Sequence, residues 1–222
     1  MMIATEFGDN MDEHLLRFDK EKTFVFIDCE TENLCLNHRR NLPWQVGMIK
    51  CKGGEPIDQK DIYIKWDREL NVSKEAARIT KFSPTRYKKA SVLFEEIFPT
   101  IQDWLDNADY IVGHNLLGFD IYLIKDMYTK AGKDYRHLMP KIIDTLSLAK
   151  GINGGDPYKS GEDFLVYQYR MLSIRKKGLK ASLLAVGKQY DIDFDPNTLH
   201  DAVNDLKLNL AVWNKMKWQV EV

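Results

Sequence analysis

Apolar positions fall into three short runs early in the chain and into helical spacing thereafter. Thr23–Asp28 (TFVFID) is a near-continuous apolar run ending in a charge, the pattern of a buried strand. Trp44–Cys51 is a second run, and Asp61–Trp66 alternates, with Ile62 and Ile64 on one side. Gly53-Gly54 and Pro56 carry turn chemistry, so the three strands are predicted to form an antiparallel meander. Ser73 is placed to cap a short helix over Lys74–Ile79. A longer helix is predicted over Ser91–Asn107, where Phe94, Ile97, Phe98, Ile101, Trp104 and Leu105 recur at helical spacing and Pro99 is placed to kink it. Tyr110–Gly113 reads as a strand, Leu117–Lys130 as a helix and Lys141–Asp144 as a strand. GINGGDPYKSG, starting at Gly151, reads as an extended loop; helices resume over Lys180–Tyr190 and His200–Val212. Strands followed by helix–strand–helix alternation predict an α/β protein with a mixed central sheet flanked by helices.

Residues 1–21 are predicted to be a loosely ordered leader, and 22–222 one domain with a basic loop insertion around 151–180. One domain suits a chain of 222 residues. Hydrophobic residues at 44% and charged residues at 29% are ordinary values for a globular protein. No apolar run approaches the ~20 residues of a membrane span, and the acidic, mixed N-terminus lacks the pattern of a secretory signal. The three cysteines, Cys29, Cys35 and Cys51, have no zinc-site spacing and cannot all be paired. These features predict a cytoplasmic protein with no membrane association.

The formal net charge of −1 gives no hint of a polyanionic partner, but its distribution does. Arg170, Arg175, Lys176, Lys177 and Lys180 form one basic cluster and Lys81, Arg86, Lys88 and Lys89 another. Each is open to two readings, a solvated face or a phosphate-binding rim.

The acidic residues carry the sharper signal. Side chains two apart on a strand point to one side, so Asp28 and Glu30 present both carboxylates to one spot, while Cys29 turns into the core. Adjacent like charges cost free energy unless a cation lies between them or one takes a proton. An oxygen-only cluster suits magnesium or manganese. A pair at a solvated strand end is the plainer alternative.

Three motifs in order resemble the DEDDh branch of the DnaQ-like 3′→5′ exonucleases: Asp28-Cys29-Glu30-Thr31, His114-Asn115-Leu116-Leu117-Gly118-Phe119-Asp120, and His200 followed by Asp205. Gln45-Val46-Gly47 and Asp144-Thr145-Leu146 extend the likeness, which covers roughly residues 22 to 217.

The resemblance implies a ribonuclease H-like fold and phosphodiester hydrolysis at a 3′ end by a two-metal mechanism. Asp28, Glu30, Asp120, His200 and Asp205 are then the catalytic set. Asp28, Glu30, Asp120 and Asp205 are the ligands for two Mg²⁺ or Mn²⁺ ions, with Asp28 bridging, and His200 is the general base. Asp201 lies one turn before Asp205 and competes for the ligand role; the family's spacing favours Asp205 and leaves Asp201 as a helix N-terminal charge. Asp120 also suits a helix cap, and Asp144 fits either the site's periphery or a cap. Thr31, Leu34 and Asn115 are candidates to grip the terminal nucleotide. Phe119 suits base stacking or helix packing, and Arg175, Lys176 and Lys177 suit the strand behind.

The expected substrate is the 3′ end of single-stranded nucleic acid, DNA first and RNA second, releasing nucleoside monophosphates. The chain stops shortly after its last predicted helix, which favours a freestanding nuclease over a polymerase's proofreading subunit; no polymerase or other protein partner is evident. A non-catalytic nucleic-acid-binding relative of the fold is the alternative from another class.

Overall fold

The computed structural model describes residues 14–36, 41–196 and 201–222. Its centre is a six-stranded sheet in the order β4-β3-β2-β1-β5-β6. Strands β1 (Thr23–Thr31), β2 (Pro43–Lys52) and β3 (Glu55–Lys65) form the antiparallel meander. β5 (Tyr110–Gly113) and β6 (Ile142–Asp144) add parallel strands beyond β1, and β4 (Val92–Leu93) pairs in parallel with the end of β3. The sheet is therefore mixed, as the order of elements predicts.

Alternation along β1 assigns the two faces. Val25, Ile27 and Cys29 join Val46, Met48, Ile62 and Ile64 in a core closed by α3 (Phe94–Asp106) and α4 (Asp120–Lys130). Phe24 and Phe26 face the other way, joining Ile49, Val112 and Ile143 under α5 (Thr145–Gly154), α6 (Phe164–Ser173), α7 (Leu183–Gln189) and α8 (Ala202–Met216). Each fully buried Ile or Phe contributes ~1.5–3 kcal/mol by leaving water.

Several elements differ from the sequence reading. β3 begins at Glu55 rather than Asp61, because Gly53 and Gly54, both at positive φ, close a tight hairpin that pairs Glu55 with Lys52. Residues 55–59 are exposed, so no apolar alternation marks them. The predicted helix over Ser91–Asn107 starts at Phe94, because Val92 and Leu93 are drawn into pairing with Ile64 and Lys65; it runs through Pro99. Before it lies α2 (Pro84–Ala90), which follows α1 (Lys74–Ile79). α2 has no buried residue and thus no apolar stripe, only the Ser83 cap and Pro84. A 3-10 turn, Arg136–Lys141, precedes β6.

The stretch 151–180 is not a continuous loop. α5 reaches Gly154, where the αL glycine Gly155 ends it, and Asp163 caps α6, leaving only 155–163 and the basic segment after Ser173 irregular. Of the predicted leader, residues 1–13 lie outside the described residues, but 14–21 are anchored. Leu15 and Leu16 are buried, the Leu16 N–H donates to Val222 O at 2.7 Å, and Phe18 meets Trp218 edge-on.

Candidate active site

Asp28 and Glu30 lie on the face of β1 that α8 covers. Across the β1–β2 ladder Asp28 pairs with Gly47 and Glu30 with Gln45. Gly47 allows α8 to lie this close: a Cβ there would stand 2.9 Å from Ala202 Cβ and 3.2 Å from Leu206 Cδ1. Asp201 caps α8, accepting from the Asn204 N–H at 3.3 Å, and Asp205 follows one turn later. One carboxylate oxygen each from Asp28, Glu30 and Asp205 lie within 4.8 Å of one another.

Asp120 reaches the same region from the first turn of α4. It is 3% exposed, and its Oδ1 accepts from the Cys29 N–H at 3.0 Å, between the two acidic residues of β1. It does not cap α4 with its side chain; the cap position is Phe119, which makes no such bond.

Burial and mutual repulsion govern the electrostatics. Burial, then Asp120, Glu30 and Asp205, hold the Asp28 carboxyl well above the usual carboxylate range. Glu30 is pushed up to about 8 by burial and then by Asp205 and Asp120. Asp120 is pushed up to about 7 by burial. An all-carboxylate cluster that repels itself this strongly matches a hard divalent cation. Cys29, between the two acidic residues, turns its thiol to the other face, where burial and then the Asp120 side chain, by its charge and a hydrogen bond, hold it well above the usual thiol range and so protonated.

Asp144 acts through the backbone. Fully buried, it accepts from Leu146 and Ser147 as the α5 cap and from the Asn115 and Leu117 N–H groups at 3.1 and 2.9 Å. It therefore fixes the turn that leads into Asp120. Burial outweighs these four donors and raises its carboxyl to about 6. His114 Nδ1 lies 3.0 Å from Thr145 Oγ1, which donates to Asn209 Oδ1 at 2.8 Å. Asn209 is buried one turn beyond Asp205, so this chain ties α8 to the ends of β5 and β6. Burial lowers His114 to about 4, keeping the ring neutral.

The remaining candidates divide. Thr31 is buried and its hydroxyl donates to Asn33 O at 2.5 Å, shaping the turn after β1. Leu34 is 43% exposed. Asn115 is half-buried with φ +68°, and Phe119 is half-buried, packed against the α3/α4 core. Arg175, Lys176 and Lys177 are exposed after α6, whereas Arg170 is committed to Asp156 at 2.6 Å and Glu162 at 2.8 Å. His200 lies outside the described residues.

Sequence reasoning missed Glu32. It is buried, takes two bonds from Arg68 at 2.8 and 2.6 Å, and also accepts from the Asn71 and Leu42 N–H groups. This staple fastens the turn after Glu30 to the chain beyond β3. Its partner is 36 residues away, so no local signal announces it.

A family model described as Exonuclease (RNase_T) matches residues 25–213. A PolC-type DNA polymerase III from Thermotoga maritima is 29% identical over 133 residues, 60% of this chain and 9% of the polymerase. Among solved structures, E. coli exonuclease I in complex with a dT13 oligonucleotide superposes with a TM-score of 0.68 at 18% identity, covering 90% of this chain and 42% of that one. Exonuclease I from Methylocaldum szegediense gives 0.67 at 18%, covering 89% and 41%. The chain thus spans less than half the length of these exonucleases and a small part of the polymerase. The structural likeness supports the ribonuclease H-like fold.

Proposed function

The chain belongs to the DnaQ-like 3′→5′ exonucleases, and from that membership we propose that it removes nucleoside monophosphates from the 3′ end of single-stranded nucleic acid. The observation that carries the reading is the convergence of Asp28, Glu30 and Asp205 within 4.8 Å, with Asp120 pinned beside them. A merely structural cluster would be a liability, since each carboxylate raises its neighbours' affinity for protons.

Asp28, Glu30, Asp120 and Asp205 would hold two magnesium or manganese ions. When bound, such ions supply charge stabilisation at the phosphate and a more acidic attacking water. The chain's own groups do the rest. His200 takes the proton of the water whose oxygen bonds to phosphorus. The bond from phosphorus to the 3′ oxygen of the next nucleotide breaks, leaving a 3′ hydroxyl on the shortened strand and a free 5′-monophosphate. Leu34, Asn115 and Phe119 surround the terminal nucleotide, and Thr31 keeps the turn carrying Leu34 in place. Arg175, Lys176 and Lys177 hold the phosphates behind it.

DNA is the preferred substrate in this reading and RNA the second, supported by the dT13 strand bound to E. coli exonuclease I. The likeness to a PolC-type polymerase supports a second setting, proofreading beside a polymerase. The deciding test compares a 3′-labelled with a 3′-blocked single strand, as DNA and as RNA, with Mn²⁺ present. Stepwise loss of label from the free end alone is expected. Equal cleavage of the blocked strand would refute exonucleolysis.

A further inference from the structure

Beside the carboxylates lies a second, chemically different cavity of ≈ 90 Å³, lined by Trp44, Gln45, Tyr63, Lys81, Arg86 and Asp201 among others. Its position is fixed by two neighbours of the cluster. Gln45 pairs with Glu30 across the β1–β2 ladder, and Asp201 caps the helix that carries Asp205.

The charge of the lining suits an anion. Two of its walls are cationic, Lys81 and Arg86, against one carboxylate, Asp201. Lys81 reaches the cavity from the left-handed position that closes α1 (φ +54°), where the Phe82 N–H donates to Ala77 O at 3.1 Å. Arg86 is also poised to change partners. It is mostly exposed, lies over the Tyr63 ring, and is held by Asp61 at 3.3 Å and by Asp201 only at 4.0 Å. A phosphate oxygen is a stronger acceptor for the guanidinium than a carboxylate at that distance.

We propose that this cavity holds a phosphate of the bound strand other than the one being cleaved. The inference rests on reading the carboxylate cluster as the hydrolytic centre: Gln45 lies opposite Glu30 and Asp201 one turn before Asp205, so an anion in this cavity is a near neighbour of the reacting phosphate. Engagement of this phosphate makes a strand with a second phosphodiester a better substrate than one without.

The test compares a single-stranded oligonucleotide with the p-nitrophenyl ester of thymidine 5′-monophosphate, which carries the scissile phosphate alone. Lys81→Gly removes the cation while relaxing the left-handed backbone, so the variant folds; Arg86→Gln keeps the α2 cap. In each, kcat/KM for the oligonucleotide should fall about tenfold further than for the ester, the worth of one charge-assisted hydrogen bond. Lys81→Arg should restore the preference, and the salt dependence on the oligonucleotide should weaken in both. Parallel losses on both substrates, or none on either, would overturn the proposal. A wild-type protein inactive on both would instead overturn the hydrolytic reading, and the phosphate site with it.

Discussion

Gly47 and Ala202 meet so closely that a methyl group on the glycine would stand 2.9 Å from the alanine Cβ. The contact sets the height of α8 above the sheet, and with it the distance from Asp205 to Asp28. Gly47→Ala should cost ~1–3 kcal/mol through overpacking and weaken Mn²⁺ binding by pushing α8 outward. Urea unfolding and calorimetric titration check the two effects. Wild-type stability with unchanged metal affinity would mean that α8 absorbs the methyl group without moving.

In the metal-free protein, Glu30 holds its proton up to about pH 8, against an ordinary value of 4.5. A carboxyl whose folded pKa is raised adds stability below its unfolded pKa and loses it as the pH climbs through the folded value. Thermal stability in chelator should therefore fall across that window, and Mn²⁺ should reverse the fall most strongly at its alkaline end. Asp28→Asn should raise the metal-free melting temperature at alkaline pH by removing one repelling charge. Melting curves with and without chelator measure both; a metal-free protein that grows more stable as pH rises would contradict the electrostatic account.

Asp144 accepts hydrogen bonds from two chain segments at once, the start of α5 and the turn into Asp120. Asp144→Ala strands four N–H groups, two of them buried, and should destabilise by about 3 kcal/mol. Asp144→Asn, which keeps an acceptor oxygen, should cost less. Chemical denaturation of the two variants checks the order, and equal losses would assign the effect to packing alone.

Much of this was legible in the sequence. The apolar runs and Gly53-Gly54 indicate the meander, and the two-residue spacing of Asp28 and Glu30 puts them on one face. Ser73 and the stripe from Phe94 to Leu105 likewise locate their helices. What escaped lacks a local signature. α2 buries nothing, β3 begins among exposed polar residues, and α6 follows a Gly-Pro-rich loop that suggested irregular chain throughout. Glu32, Lys81 and Asn209 take their roles from tertiary partners and backbone geometry. A buried asparagine on an apolar helix face, one turn past Asp205, was the one available hint.

Arg170 is taken up by Asp156 and Glu162 and Lys180 is exposed further along, so the proposed phosphate-binding rim centres on the three consecutive exposed cations Arg175, Lys176 and Lys177. Replacing all three with Ala should raise KM for long strands while leaving short ones nearly unaffected, and the difference should shrink at high salt. Steady-state kinetics across strand lengths settle it; a length-independent KM would return the run to an ordinary solvated face.

The central claim is that the carboxylate cluster holds the ions on which 3′ hydrolysis depends. It is tested most directly by following release of a 3′-terminal nucleotide in Mg²⁺, in Mn²⁺ and in excess chelator, for the wild-type protein and Asp28→Asn. The account predicts hydrolysis by the wild type with either ion, none in chelator, and a loss of at least ~10³-fold in the variant. Sustained hydrolysis in chelator, or a variant of near-normal rate, would contradict it.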